Sequence, residues 1–169
     1  MKTSIHQGTP AAVRFVVLQP LLCYTLRMTE LATFSMGCFW GPDEFFSKVP
    51  GVVRTTVGYS GGVKANPTYH DLGDHTETTE IEFDPAIVSY EQLLRHFWDQ
   101  HDATYKAKTQ YKSVIFTHSD AQLAAAEKSK AEEEAKGFHI VTEIKPAMKF
   151  YNAEDYHQKY LDKNRGAVC

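Results

Sequence analysis

Cys38 is the residue of this chain that is best placed for chemistry. It follows a run that predicts a β-strand, Glu30 to Met36, and it precedes a predicted helix that accepts Pro42 in its first turn. Because the amides and the dipole of a helix N-terminus favour an anion, we expect Cys38 to carry thiolate character. A thiolate is a nucleophile, so thiol-based catalysis is the first hypothesis. The alternative is that Cys38 is a small buried hydrophobic residue.

Two other cysteines are present, Cys23 and Cys169. Such a small odd number argues against a secreted disulfide scaffold and fits a reducing compartment. Cys169 is the last residue and follows Gly166 closely, so we expect it to lie in a mobile C-terminal tail. A thiol on such a tail can convert a sulfenic acid into a disulfide. The alternative for Cys169 is a terminal thiol without function, and we assign no role to Cys23.

Glu77 is the candidate proton donor. The segment that begins at Glu77 alternates in polarity, and the two-residue period of a strand places Glu77 on the same face as Ile81 and Phe83. A carboxyl group in apolar surroundings tends to stay protonated near neutral pH, as a general acid requires. The alternative is a solvated position at the frayed end of the strand.

Composition narrows the class of protein. The chain has 169 residues, 43% hydrophobic and 23% charged, which fits one globular domain with a hydrophobic core. A net charge of -3 argues against nucleic acid as a partner. The most apolar stretch, Phe15 to Tyr24, has about half the length of a membrane span. No histidine pair has a convincing helical metal-ligand spacing, so we predict no metal.

The elements that must position these residues alternate along the chain. Predicted strands cover residues 30–36, 52–59, 77–83, 112–117 and 141–145, and predicted helices cover residues 42–49, 89–98, 119–136 and 153–163. Two helices open on the capping-box pattern, at Ser89 to Gln92 and at Ser119 to Gln122. The alternation predicts an α/β (α+β) two-layer sandwich, in which helices flank a mixed β-sheet.

We expect residues 29–169 to form a single domain and residues 1–28 to be an N-terminal extension outside it. Residues 1–28 contain no Asp or Glu, and Met28 offers an alternative start. We therefore expect a cytoplasmic protein, with organelle targeting by residues 1–28 as the alternative. The sequence carries no clear sign of oligomerisation, and a monomer is expected.

The segment Gly37-Cys-Phe-Trp-Gly41 resembles the signature of the A-type peptide methionine sulfoxide reductases. The resemblance continues in the family's order over residues 31–169. It includes Gly58-Tyr-Ser-Gly-Gly62, Asn66-Pro-Thr-Tyr69, His75-Thr-Glu77, Phe83-Asp-Pro85, His96-Phe-Trp98, His101-Asp102, Thr109-Gln-Tyr111 and Glu154-Asp-Tyr-His-Gln158. It implies an enzyme that repairs oxidative damage by reducing methionine S-sulfoxide, free or in proteins, and we expect a ferredoxin-like core.

The resemblance also implies roles for individual residues. Cys38 would be the nucleophile and would become a sulfenic acid, and Glu77 would be the catalytic glutamate. Tyr69 and Tyr111 would hydrogen-bond the sulfoxide oxygen. Cys169 would form a Cys38–Cys169 disulfide that thioredoxin then reduces, without any other cofactor.

Phe39 and Trp40 would form the wall against the S-methyl group of the substrate, although from position alone packing in the core explains the pair equally well. The sequence departs from the family at Lys106, which stands where many bacterial members carry an aspartate. The loop between Tyr69 and Glu77 is also shorter than in many members. Both departures bear on substrate affinity and on the preferred peptide context.

Two other functions share these features. A peroxidase or a disulfide reductase would also use Cys38, but it explains neither Glu77 nor the aromatic pair, and Gly41 stands where a C-x-x-C motif needs cysteine. A non-catalytic domain that binds oxidised or Met-containing peptides would use the same pocket without turnover.

Overall fold

The computed structural model describes residues 28–164. It contains a six-stranded sheet with the order β5-β4-β1-β3-β2-β6. The strands are β1 Glu30–Met36, β2 Val52–Ser60, β3 Thr76–Phe83, β4 Ser113–Thr117, β5 Glu143–Pro146 and β6 Tyr151–Asn152. The helices are α1 Trp40–Ser47, α2 Tyr90–Asp99, α3 Asp120–Ala135 and α4 Tyr160–Lys163, with a short 3₁₀ helix at Thr109–Tyr111.

The centre of the sheet has the ferredoxin-like arrangement. The chain runs β1-α1-β2-β3-α2-β4, and these four strands stand in the order β4-β1-β3-β2 with antiparallel neighbours. Strand β5 then adds in parallel to β4 after α3, and β6 pairs with the other edge at β2. The sheet is therefore mixed, which confirms the predicted α/β sandwich with a ferredoxin-like core.

Helix α2 closes one face of the sheet. Its residues Leu93, Leu94 and Phe97 are fully buried against Phe34 and Ile81 of the central strands. Burial of each such side chain contributes about 1.5–3 kcal/mol to the stability of the fold. The main core thus holds β1 and β3 in place, and these are the two strands that lead into and out of the predicted site.

The predicted capping box at the start of α2 is present. The Gln92 amide donates to Ser89 Oγ at 3.3 Å, and the Ser89 amide donates to Gln92 Oε1 at 2.8 Å. At α3 only half of the predicted box forms. The Gln122 amide donates to Ser119 Oγ, but the Gln122 side chain accepts from the His118 amide and donates to the carbonyl of Leu31. That side chain therefore joins α3 to β1.

Two predicted elements begin at least two residues later in the structure. Strand β5 begins two residues after Val141, because the Val141 amide donates to Ala103 O in a loop. The predicted helix over residues 153–163 is helical only from Tyr160, since the Ala153 amide still bonds to Val57 O of β2 and Lys159 adopts a left-handed conformation with φ 54°.

Within residues 28–164, no helix is long and apolar enough to cross a membrane. Residues 1–27 of the predicted N-terminal extension and residues 165–169 of the predicted mobile tail lie outside the described residues, and so do Cys23 and Cys169.

Candidate active site

A cavity of about 670 Å³ brings together most of the residues singled out from the sequence. It is lined by Cys38, Phe39, Trp40, Tyr69, Glu77 and Tyr111, among others. These residues come from the β1–α1 turn, the β2–β3 loop, the start of β3 and the 3₁₀ helix before β4. Segments far apart in sequence therefore meet at one end of the sheet.

The turn that carries Cys38 is set by its neighbours on both sides. Gly37 has φ +83°, a left-handed conformation that a residue with a side chain rarely adopts, and it redirects the chain as β1 ends. Helix α1 begins two residues after Cys38, at Trp40. Cys38 is half-buried and lies between a strand end and a helix start, which is the position predicted for it.

Glu77 is buried, with 1% of its surface exposed. Its Oε2 accepts a hydrogen bond from the Phe39 amide at 3.1 Å, and its Oε1 accepts one from Gln110 Nε2 at 2.8 Å. Burial raises the pKa of the Glu77 carboxyl, and the two hydrogen bonds offset only part of this rise. The environment thus favours retention of a proton at Glu77, and the solvated alternative does not hold.

Gln110 is a site residue that sequence reasoning missed. It lies between Thr109 and Tyr111 in a segment recognised for its tyrosine, and the only signal was its amide side chain within that segment. Its hydrogen bond fixes the orientation of the Glu77 carboxyl from the side opposite Phe39.

Tyr69 and Tyr111 line the same cavity although they lie 42 positions apart in the sequence (111 minus 69). Burial, followed by the charges of Glu77 and Tyr69 and a hydrogen bond with Tyr69, raises the pKa of Tyr111 to about 12. The Tyr111 hydroxyl therefore keeps its proton over the physiological range and can act as a donor. The Tyr69 backbone is anchored by its amide, which donates to Glu154 Oε1 at 3.0 Å.

The two aromatic residues after Cys38 are positioned differently. Phe39 is buried in a small cluster with Val57 and Tyr59, so it belongs to the core and also lines the cavity. Trp40 is held from two sides. Its Nε1 donates to His157 Nδ1 at 3.1 Å, and its ring stacks on Tyr160 with 3.8 Å between centroids and 9° between planes.

His157 and Tyr160 were missed as supports of Trp40. His157 accepts through Nδ1, so it is the neutral tautomer with the proton on Nε2, and burial lowers the pKa of His157. The segment Glu154 to Gln158 offered a signal by its resemblance, but nothing in the sequence connected it with Trp40.

Two other histidines have structural partners. His75 Nε2 donates to Lys64 O at 2.8 Å while its Nδ1 accepts from the Gly62 amide. His101 Nδ1 donates to Phe97 O at 2.7 Å, and its Nε2 accepts from Ser113 Oγ at 2.8 Å. Across residues 28–164, no group of three or more His, Cys, Asp or Glu side chains could hold a metal ion.

Lys106 is exposed and does not line this cavity, whereas Asp102 and Lys108 of the same loop do. Cys169 lies outside the described residues.

The arrangement combines a cysteine at a helix start, a buried carboxyl that favours its proton, two phenols and an aromatic wall. Comparison with known proteins agrees with this chemistry. The family model for peptide methionine sulfoxide reductase matches residues 30–169. A relative named peptide methionine sulfoxide reductase MsrA from Geobacter sulfurreducens is 49% identical over 153 residues, which cover 83% of this chain and 94% of that protein.

Solved structures show the same fold. Mxr1 from Saccharomyces cerevisiae in reduced form is 33% identical with a TM-score of 0.79, and the match covers 83% of this chain and 88% of that one. Mxr1 in complex with Trx2 is 28% identical with a TM-score of 0.61, covering 83% and 91%. This chain belongs to the peptide methionine sulfoxide reductase family and is an oxidoreductase that reduces methionine sulfoxide.

Proposed function

We propose that Cys38 is the nucleophile and Glu77 the proton donor in the reduction of methionine S-sulfoxide. The observation that carries this proposal is the 3.1 Å hydrogen bond from the Phe39 amide to Glu77 Oε2, which places a buried carboxyl beside the residue that follows the cysteine. The Cys38 thiolate attacks the sulfoxide sulfur while Glu77 donates a proton to the sulfoxide oxygen. The oxygen is transferred to Cys38 as a sulfenic acid and methionine leaves, so the cysteine loses the two electrons that the sulfoxide gains.

Tyr69 and Tyr111 hold the sulfoxide oxygen in this proposal. The raised pKa of Tyr111, to about 12, keeps its phenol protonated, and Tyr69 lines the same cavity. Donors that are already oriented stabilise charge on the oxygen as the S–O bond breaks. Phe39 and Trp40 contact the S-methyl group, and the fixed orientation of the Trp40 ring makes that wall rigid.

Cys169 resolves the sulfenic acid. Its thiol attacks Cys38 Sγ, a disulfide forms and water leaves; a dithiol then reduces the disulfide by thiol–disulfide exchange. We assign thioredoxin as that dithiol, because the similar protein Mxr1 has been solved in complex with Trx2. No other cofactor is required, since the two electrons come from the dithiol.

The remaining features are assigned as follows. Residues 29–169 form a single domain and residues 1–28 an extension outside it, which agrees with a family match over residues 30–169. The substrates are oxidised proteins and peptides as well as free methionine sulfoxide. We assign the protein as a cytoplasmic monomer that binds neither membrane nor metal. Its net charge of -3 argues against nucleic acid as a partner.

The test compares wild type and Cys38→Ser with N-acetylmethionine S-sulfoxide and dithiothreitol. Formation of N-acetylmethionine by wild type alone supports the assignment, and the R epimer in the same assay tests the stereochemistry. If Cys38→Ser turns over at the wild-type rate, Cys38 is not the nucleophile. If wild type consumes dithiol with peroxide alone and ignores the sulfoxide, the chain is a peroxidase. Tight peptide binding without turnover in both proteins would indicate a binding domain.

A further inference from the structure

We propose that Lys106 and Lys108 select peptide substrates that carry acidic residues beside the oxidised methionine. This inference rests on the proposed function and concerns the rim of the same site. Residues 103–112 contain Lys106, Lys108 and Lys112 and no Asp or Glu. The loop therefore presents positive charge at the rim of the cavity, and on this side we place the residues that flank the oxidised methionine.

A second cavity lies against the same loop. Tyr105, Ala107 and Ser113 line both cavities, so the two are neighbours. Lys108 lines the active-site cavity, whereas Lys106 and Lys112 line the second one. An extended peptide advances about 3.3 Å per residue, so residues one to three positions from the oxidised methionine span about 3–10 Å, which is long enough to reach a loop that lines the same cavity.

The net charge of residues 103–112 and their ion-pair partners is positive. Neither Lys106 nor Lys108 has an ion-pair partner among residues 28–164. Lys112 pairs with Glu143 at 3.0 Å, but Lys145 pairs with the same carboxylate, so that group of three keeps one excess positive charge.

Asp102 is the carboxylate of the loop that opposes this balance. It lines the active-site cavity, and its Oδ1 accepts from the Thr104 hydroxyl at 2.6 Å and from the Thr104 amide at 2.9 Å. These bonds lower the pKa of Asp102, so it stays charged. The single negative charge of Asp102 therefore does not balance the two positive charges of Lys106 and Lys108, whose side chains are exposed.

An exposed ion pair changes an equilibrium by about 1.4- to 5-fold. With both lysines engaged the two factors multiply, and we expect acidic peptides to be favoured over basic ones by about 2- to 25-fold at low salt.

The test uses two pentapeptides with methionine S-sulfoxide at the centre and either glutamate or lysine at both ends. Their kcat/KM values are measured with dithiothreitol, so that no protein reductant intervenes. We expect wild type to prefer the glutamate peptide, and we expect the preference to shrink between about 0.02 M and 0.5 M salt as screening increases. Lys106→Glu/Lys108→Glu should abolish or reverse the preference.

A matched control carries the same change in net charge elsewhere. Lys128→Glu/Lys136→Glu places both substitutions at α3, where both lysines are exposed, and should keep the wild-type preference. The readout is a ratio between two peptides, so partial loss of folded protein does not alter it.

The outcomes separate this inference from the proposed function. Equal use of both peptides by wild type, or an unchanged ratio in the Lys106→Glu/Lys108→Glu variant, overturns the inference. If the amide of N-acetylmethionine S-sulfoxide, which carries no charge, is reduced in either case, the proposed function stands. If that small substrate is not reduced at all, the proposed function fails and the selection of acidic substrates fails with it.

Discussion

The Phe39 amide donates a hydrogen bond to Glu77 Oε2 at 3.1 Å, which joins the turn after β1 to the first residues of β3. The bond links the residue that follows the proposed nucleophile to the proposed acid. Because Gln110 holds the other oxygen at 2.8 Å, the carboxyl group is fixed before substrate arrives. Its geometry therefore does not depend on the substrate.

Glu77→Gln should lower the rate of methionine formation by about 10²- to 10⁴-fold, because it removes a proton donor and keeps the shape of the side chain. Single-turnover measurement with the sulfoxide and no reductant tests this directly. Thr79→Ser, a buried change on the same strand, is the control and should stay near the wild-type rate. A Glu77→Gln rate within a factor of three of wild type would remove Glu77 from the proton transfer.

The raised pKa of Glu77 also makes stability depend on pH. Its folded pKa lies above the ordinary value of 4.5, so between the two values the folded protein binds more protons than the unfolded chain. The contribution of Glu77 to stability is thus most favourable below pH 4.5 and falls as pH rises through the folded pKa. In urea unfolding, the free energy of unfolding of Glu77→Gln relative to wild type should therefore rise as the pH goes from 4 to 7. A constant difference across this range would contradict the assigned shift.

Lys159 should be important for the stability of the C-terminal segment. Its Nζ bonds to Asp43 Oδ1 at 2.5 Å and its amide bonds to Asp43 Oδ2 at 2.9 Å, while Asp43 is 1% exposed. Lys159→Met would leave a buried carboxylate without its counter-ion and should cost about 2–3 kcal/mol, a figure reduced because the lysine side chain is partly exposed.

A double-mutant cycle in denaturant separates the ion pair from other effects of this substitution. Asp43→Asn/Lys159→Met should be more stable than the sum of the single changes predicts, because neither charge is left alone. Strict additivity would show that the pair contributes nothing.

His157→Phe should release the Trp40 ring. The variant keeps an aromatic side chain but loses the Nδ1 acceptor at 3.1 Å from Trp40 Nε1. We expect KM for a sulfoxide peptide to rise about 3- to 30-fold with a smaller change in kcat, since the wall of the pocket is used in binding and a lost hydrogen bond is a change of about 1–2 kcal/mol. Trp40 fluorescence, recorded in a Trp98→Phe background, should shift in parallel. A fall in kcat with unchanged KM would argue against this role.

Cys169→Ser should separate reduction from recycling. The variant should release one equivalent of methionine per enzyme in a single turnover, because Cys38 is intact. With thioredoxin as reductant its steady-state rate should fall at least tenfold, since the sulfenic acid lacks its resolving thiol. Wild-type steady-state rates with thioredoxin would exclude Cys169 from the mechanism.

Much of the site could be predicted from local sequence. The strand, turn and helix around Cys38 follow from a glycine, a proline and the apolar period, and the alternation of β3 places Glu77 on the face of Ile81 and Phe83. The predicted helix over residues 153–163 was wrong in its first half, because the backbone of Ala153 remains bonded to β2 and Lys159 turns to reach a buried carboxylate. Helix propensity has no term for such distant partners.

The sequence by itself determined the reaction class, because the motifs around Cys38 and Glu77 resemble those of the family and lie in short continuous segments. Only the tertiary structure decided which groups orient them. Gln110, His157 and Tyr160 act on residues 33, 117 and 120 positions away, through contacts at the meeting of separate elements. The physical reason is that a local pattern fixes the period of a strand or helix, whereas hydrogen bonds and ring contacts between elements form only when the sheet order β4-β1-β3-β2 brings their ends together.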